Sequence, residues 1–562
     1  MNNTLNHLLF GKGDPADRRT AWLQCSKPTQ TGAWPGQQQR CARARDGKYG
    51  AIATGSPFAT DAGMAILRNG GNAADSAAAA ALTMMVADPP NCSPAGRTQI
   101  IYEAMDGTAR AIDGTTVAPS HLPSGRSLLD DQHAIPVPGA VRAILQLQST
   151  EGRLPLASIV APALALARYG FDVPENLARI WRWRGPELKD PDARRWYLPQ
   201  GAAPLAGTCF RHPGLARFFE LMIDLGGDPF ADADFAHDIC SRLSTKGVLW
   251  QPNDLRAADP LQGEVITFAN DGWRITSVGR QGWGHTLLQI VALNSRVAPY
   301  LHRPMDAELA HLLAILRAFD DRPEELRSLK PKSDPIPWEE LLTRLEEPVA
   351  PEWHELVALI EDQGAARDVA RLSRLLTPPA NLGDAEERDT THLAVIDADG
   401  RRVSLTQSIG PHFGARVADP DYGILLAHSY RMTAFPEPGA RDVTEQCPSL
   451  LDIGSARYAL GGAGSERIPG GVAAVVRGLL NGLDLADAVA APRANWVGDL
   501  VRLHVDAPEG LEDVLASVGM NIVFTGRGPV DHLGIVQGAG RDAAGDYIAA
   551  ADPAYAGTAL AG

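Results

Sequence analysis

The residues with the clearest chemical potential stand about two-thirds of the way along the chain, in the run Asp389-Thr390-Thr391-His392. A threonine hydroxyl is a weak nucleophile until a base takes its proton. A threonine that opens a polypeptide carries such a base itself, because an α-amine with a pKa of roughly 7.7 to 8.0 keeps a neutral fraction near pH 7. Thr390 placed at a chain start would supply both nucleophile and base for acyl transfer. No Gly-x-Ser-x-Gly elbow offers a serine in its place. On a strand His392 would share a face with Thr390, and it reads chiefly as a structural histidine. Thr391 would face the other way and is the poorer nucleophile.

The elements that must position this threonine are legible around it. Leu393 to Asp397 and Arg401 to Ser408 are β-rich runs flanking Asp399-Gly400, which is a hairpin signal. Upstream, Thr377-Pro378-Pro379 through Arg388 is Pro-rich and then charged, the composition of an exposed tether. A tether therefore meets a buried strand at Thr390, and this pattern alone leaves open whether the junction is cut. Towards the N-terminus, Gly50 to Thr54 reads as a strand and Ala59 to Arg68 as a helix ended by Gly70-Gly71. Asn72 reads as the cap of a second helix through Val86, and Leu156 to Tyr169 as a helix stopped by Gly170. Residues 1 to about 47, rich in Gln, Arg and Gly, are expected to form a partly disordered extension.

Composition narrows the function classes. With 562 residues, 45% hydrophobic and 21% charged, the chain reads as a globular protein. A net charge of -15 argues against nucleic acid as the main partner. The most apolar stretch, Ala77 to Ala87, is too short to span a bilayer, and residues 1 to 24 make a poor secretory signal. A cytoplasmic protein without membrane attachment is expected. Six scattered cysteines show no zinc spacing and read as reduced thiols, and no His-Glu-x-x-His occurs, so no metal and no cofactor are expected.

The run Asp389-Thr390-Thr391-His392, with Val395, Asp397, Asp399-Gly400, Val403 to Thr406, Phe413-Gly414 and Gly423 to Leu426, is similar to the small-subunit start of γ-glutamyltransferases (γ-glutamyl transpeptidases). Phe58 to Ala77 resembles the large-subunit opening of that family. Further matches follow in order at Ile135 to Val141, Gln251 to Leu255, Gly282 to Gln289, Ala318 to Arg322, Asp487 to Arg493 and Ala550 to Pro553. The resemblance implies an α+β four-layer αββα sandwich of the N-terminal nucleophile hydrolase type. It also implies a precursor that cuts itself between Asp389 and Thr390, giving a large subunit of residues 48–389 and a small subunit of residues 390–562 that stay together as a heterodimer. Carried over residue by residue, Thr390 is the nucleophile and Ser408 stands where a threonine assists it. Gly464 and Ser465, in Gly461-Gly462-Ala463-Gly464-Ser465, align with the paired backbone N–H groups of the oxyanion hole.

The residues that hold a γ-glutamyl group in the family do not carry over. Thr115, in Gly114-Thr115-Thr116, stands in place of the Arg that pairs with the α-carboxylate, and Gly410 replaces an Asn. Ala427 to Phe435 replaces the segment that contacts the α-amine, and the Ser-Ser pair is replaced around Gln446 to Ser449. Losing several charge-assisted hydrogen bonds worth roughly 1.5 to 3 kcal/mol each makes ordinary γ-glutamyl binding improbable. The expected substrate pocket comprises Arg97, Thr115, Gly410, His428, Arg431 and Ser449, with Arg97 or Arg431 meeting an anionic group of a small-molecule amide. The resulting reading is a self-processing amidohydrolase acting on a non-γ-glutamyl amide. Transfer of the acyl group to an amine and an uncleaved scaffold protein stand as alternatives.

Overall fold

Strict alternation along the central hairpin builds the molecule in layers. In the computed structural model, which describes residues 40–122, 135–301, 303–320, 390–428, 437–497, 500–517, 519–528 and 532–562, the two runs after Thr390 are strands. They pair antiparallel from Thr391↔Gln407 to Ile396↔Arg402. Gly400 turns the chain with φ +81°. The Asp397 carboxylate holds this turn, accepting from Asp399 N and Arg401 N at 3.0 Å, while its other oxygen accepts from Ala73 N at the start of a helix.

In chain order the strands are β1 (Cys41–Ala44), β2 (Gly50–Thr54), β3 (Arg97–Glu103), β4 (Ala109–Gly114), β5 (Phe171–Asp172), β6 (Cys209–Phe210), β7 (Leu261–Gly263), β8 (Val265–Asn270), β9 (Trp273–Val278), β10 (Thr391–Asp397), β11 (Arg402–Ser408), β12 (Ser449–Ile453), β13 (Ala456–Ala463), β14 (Ala494–Val497), β15 (Leu500–His504), β16 (Asn521–Thr525), β17 (Ile535–Arg541), β18 (Tyr547–Ala551) and β19 (Thr558–Ala561). Two seven-stranded sheets carry the fold, ordered β19-β2-β10-β11-β3-β4-β7 and β1-β18-β17-β13-β12-β9-β8.

Each face of these sheets has its own core. Leu393, Val395, Val403 and Leu405 pack outward against helices α1 (Pro57–Arg68), α2 (Ala73–Ala87), α3 (Ala140–Glu151) and α4 (Leu156–Tyr169). The outer face of the second sheet packs on α5 (Gly284–Val297), α6 (Pro304–Asp320) and α7 (Arg467–Leu480). Between the sheets lie mostly small residues, among them Ala51, Ala53, Ala394, Ala459, Ala539 and Ala549. The result is the expected four-layer αββα sandwich, both sheets being apolar on two faces. Helix α2 is buried on every side, as a helix apolar all round must be. Asn72 caps it by accepting from Asp75 N, and the Asp75 carboxylate returns a bond to Asn72 N. Among the described residues no helix is long and apolar enough to cross a membrane.

Within the stretch read as an extension, Cys41 to Ala44 form an edge strand paired with β18, from Cys41↔Ala550 to Ala44↔Tyr547, so the sheet holds the backbone of these residues.

Candidate active site

The two sheets are tied to each other through side chains of β11 that reach the backbone of the second sheet. Arg402 Nη1 donates to Tyr458 O at 3.2 Å. Ser404 Oγ donates to Leu460 O at 2.7 Å and accepts from Ser449 N at 3.0 Å. Beyond these, the His392 ring, bonded through Nδ1 to Thr406 Oγ1 at 2.8 Å, lies directly over Gly461. These ties climb β11 and β13 in the same direction, so the ends of the two strands, Ser408 and Ala463-Gly464, approach each other.

At that end the register gathers the candidate residues. Continuing the β10–β11 pairing by one residue sets Thr390 opposite Ser408. Ser408 pairs with Arg97, and continuing β3–β4 by one residue sets Arg97 opposite Thr115. Thr390, Ser408, Arg97 and Thr115 thus form one row across the sheet, and residues of such a row share a face. Their strand parity matches Ala394, Ile101 and Ala111, the residues that face the second sheet. Thr391 has the opposite parity and turns its hydroxyl to Met84 of α2, as expected from the sequence. All four residues of the row are buried, Thr390 at 7% exposure.

The second sheet contributes the strand-to-helix turn between β13 and α7. Gly464 (φ +118°) and Ser465 (φ 56°) both adopt left-handed backbone, which swings successive peptide groups round in a tight concave turn. A Cβ on Gly464 would collide with the His532 ring, so only glycine fits there. His532 is held by Arg467, whose Nη2 stands 3.3 Å from its Nε2. Burial and that neighbouring guanidinium hold the His532 pKa well below the usual histidine range. Ser465 Oγ lies 3.4 Å from Glu445 Oε1.

The expected substrate contacts are placed as follows. Arg97 is in the row, but its guanidinium pairs with Asp442 at 3.1 Å and both side chains are buried, so an anionic ligand would have to displace a carboxylate. The Thr115 hydroxyl donates to Asp113 Oδ1 at 2.6 Å and Thr115 N reaches the same oxygen, which makes Thr115 a turn-forming residue. Gly410 has φ +90° and the His428 carbonyl occupies the space of its missing Cβ. Its contribution is its N–H, which donates to Ser408 Oγ at 2.9 Å and orients that hydroxyl. Ser449 is set apart from the row. Its hydroxyl bonds Ser277 Oγ at 3.0 Å and Cys447 O at 2.9 Å, on the face shared with Leu451 and Ile275 that packs on α5. His428 lies beside Ile409, to whose carbonyl its N–H donates at 2.9 Å. Asp389 and Arg431 fall outside the described residues.

His392 shares the parity of Thr390, and its bond to Thr406 and its packing over Gly461 fit the structural role read for it. It is fully buried, and burial pushes its pKa down to about 3. Sequence reading missed Asp442, Glu445, Arg467 and His532, which line the site from loops and a helix start. They stand among other polar residues, as in Arg441-Asp442-Val443-Thr444-Glu445-Gln446 and Ser465-Glu466-Arg467, and nothing local tells which partner each meets.

The arrangement is one of acyl transfer: a hydroxyl at a strand start, a second hydroxyl beside it, and a turn of backbone amides opposite. Comparison with known proteins is consistent with this chemistry. The family model of gamma-glutamyltranspeptidase matches residues 59–562. The Acylase ACY 1 proenzyme of Pseudomonas sp. (strain SE83) is 27% identical over 533 residues, covering 86% of this chain and 88% of that protein. The glutathione hydrolase proenzyme of Escherichia coli (strain K12) is 25% identical over 494 residues, covering 81% and 83%. The crystal structure of cephalosporin acylase from Bacillus halodurans superposes with a TM-score of 0.78 at 25% identity, covering 92% of this chain and 96% of that one.

Proposed function

Because the chain belongs to the gamma-glutamyltranspeptidase family, whose named relatives are hydrolases and acylases, we propose that it is a self-processing amidohydrolase with Thr390 as its nucleophile. The observation that carries this reading is the meeting of Thr390 and Ser408 in one row with the Gly464-Ser465 turn opposite them.

In processing, Thr390 Oγ attacks the Asp389 carbonyl and the C–N bond of that peptide breaks. The released nitrogen takes a proton and becomes the α-amine, while Asp389 is held as an ester on Oγ. Water cleaves the ester, leaving the Asp389 carboxylate and a free hydroxyl. On a substrate amide the α-amine of Thr390 takes the Oγ proton during attack and passes it to the departing amine, and water then hydrolyses the acyl ester. Ser408, oriented by the Gly410 N–H, is the hydroxyl that assists Thr390. The Gly464 and Ser465 amides face the developing oxyanion.

The acyl group we propose is not γ-glutamyl. Position 115 carries a threonine spent on Asp113, position 410 has no side chain, and the Arg97 charge is matched by Asp442. Since relatives are named acylases, one of them a cephalosporin acylase, side-chain amides of β-lactams are the first substrates to test. The cleaved protein would be screened against these and simple amides, with Thr390→Ala as blank and a γ-glutamyl anilide as control. Turnover of an acyl amide with the anilide inert supports the reading, and rapid turnover of the anilide contradicts the pocket argument. Transfer to an amine differs only in which acceptor reaches the ester, and added amines in the same screen would reveal it.

A further inference from the structure

Ser465 is a non-glycine residue in left-handed backbone, at the point where the oxyanion amides must be aimed. A Cβ disfavours that conformation, so it persists where the surroundings fix it. The carbonyls of the turn are fixed by the start of α7: Arg467 N donates to Gly464 O at 3.1 Å and Ile468 N to Ser465 O at 3.0 Å. The side chain is held from outside the turn. Ser465 Oγ donates to Glu445 Oε1 at 3.4 Å, and both residues are buried. With a carboxylate as acceptor, this contact is stronger than the same contact to a neutral oxygen.

Glu445 takes its own place from the segment that carries it. Residues 441–446 cross from the first sheet to the second at the catalytic end. On the first sheet, the Asp442 carboxylate accepts from Arg97 Nη1 at 3.1 Å, Asp442 N donates to Thr116 O at 2.9 Å, and Arg441 Nη1 donates to Thr115 O at 3.0 Å. Arg97 and Thr115 belong to the row that contains Thr390 and Ser408. Towards the second sheet, Thr444 N donates to Gln281 O and Gln446 O accepts from Trp283 N, both at 3.1 Å, in the link from β9 to α5. Glu445 sits between Thr444 and Gln446, anchored on either side.

We propose that residues 441–446 are a strut that sets the oxyanion turn against the nucleophile, with Glu445 as its positioning residue. The strut is anchored in the row that holds Thr390, and Glu445 passes that placement to the Ser465 amide through the Ser465 hydroxyl. Glu445 acts on the reaction through Ser465 alone. The proposal rests on the reading of Thr390 as nucleophile and of the Gly464 and Ser465 amides as oxyanion donors. It adds a reason why serine is held at a position where glycine would need no hold, and a use for the buried Arg97–Asp442 pair as the anchor of the strut.

Self-cleavage raises an oxyanion at the Asp389 carbonyl and needs no added substrate, so its rate is the probe. Purified full-length chain would be followed by electrophoresis for wild type, Glu445→Ala, Glu445→Gln, Ser465→Ala, Ser465→Gly and the double variant Ser465→Gly/Glu445→Ala, with thermal melts as the folding control. Losing a hydrogen bond to a charged group is expected to slow splitting by about tenfold or more in Glu445→Ala and in Ser465→Ala. Glu445→Gln keeps an acceptor oxygen and should recover most of the rate. In the Ser465→Gly background Glu445→Ala should cost nothing further, because the hydroxyl it acts through is gone. A Glu445 that merely supports the fold would slow both backgrounds alike, and that result overturns the proposal. Wild-type rates in Glu445→Ala and Ser465→Ala, or a Glu445→Gln as slow as Glu445→Ala, also overturn it. If Glu445→Ala fails to melt cooperatively, Ser465→Ala against Ser465→Gly decides. Left-handed backbone costs glycine nothing, so Ser465→Gly should split the faster of the two, and equal rates overturn the proposal. A wild-type chain that never splits contradicts the nucleophile reading itself, before any variant is compared.

Discussion

Gly410 shows how one residue separates the reaction from the substrate. In sequence it reads as a lost binding side chain, whereas in the structure it is a backbone requirement. Its φ of +90° and the His428 carbonyl pressed against it leave no room for a Cβ, and its N–H orients Ser408. Restoring asparagine by Gly410→Asn is therefore predicted to destabilise the protein by about 2 kcal/mol or more, read as a lowered melting temperature, without creating γ-glutamyl binding. Ser408→Ala should leave the fold intact, because the hydroxyl it removes makes a local bond. It should slow self-cleavage by about tenfold or more through loss of the group beside Thr390. Normal processing in Ser408→Ala would remove Ser408 from the mechanism. Thr390 and Ser408 were legible as chemistry from residue type and spacing. The Arg97–Asp442 and Ser465–Glu445 contacts were not, since each joins segments whose meeting no local pattern encodes.

At the scale of elements, the hairpin carries the nucleophile and side chains on its inner face aim it. The ties from Arg402, Ser404 and His392 to the second sheet set the height at which Thr390 meets Gly464. Ser404 is the most economical of them, one hydroxyl bonding two backbone groups of β12 and β13. Ser404→Ala leaves the Leu460 carbonyl and the Ser449 N–H short of that partner, so a loss of about 2 to 4 kcal/mol is expected from denaturant melts, with slower processing. An unchanged midpoint would show that the sheets are aligned by other contacts. The hairpin, α1, α2 and α4 could all be read beforehand because alternation, capping and glycine stops are local signals. Strand β1 could not, because its pairing with β18 depends on residues more than 500 positions away.

For the whole molecule, burial of neutral histidines sets the response to acid. His212, His392 and His412 are fully buried with pKa values pushed down to about 3, so the folded state binds fewer protons than the unfolded chain between there and about 6.5. Their contribution to stability is fully present above pH 6.5 and is lost as pH falls, up to about 5 kcal/mol for each. Asp61 and Asp88 work in the opposite sense, since a pKa raised to about 6 favours the folded state by at most about 3 kcal/mol for each as pH drops from about 6 to 4. The three histidines outweigh these two carboxylates. The melting temperature is predicted to fall steeply between pH 6.5 and 4.5, and a protein equally stable at both values would contradict the assignment of these rings as neutral and buried. The four-layer architecture was legible from the resemblance along the chain. Which loop side chains close the site was not, because that depends on how the two sheets stack.

The account stands on Thr390 becoming a chain terminus. Electrophoresis of the purified chain with N-terminal sequencing of the products tests this directly. Two fragments are predicted, the smaller beginning Thr-Thr-His at Thr390, with Thr390→Ala remaining intact. A single full-length band that persists through long incubation, or a smaller fragment starting elsewhere, would contradict it.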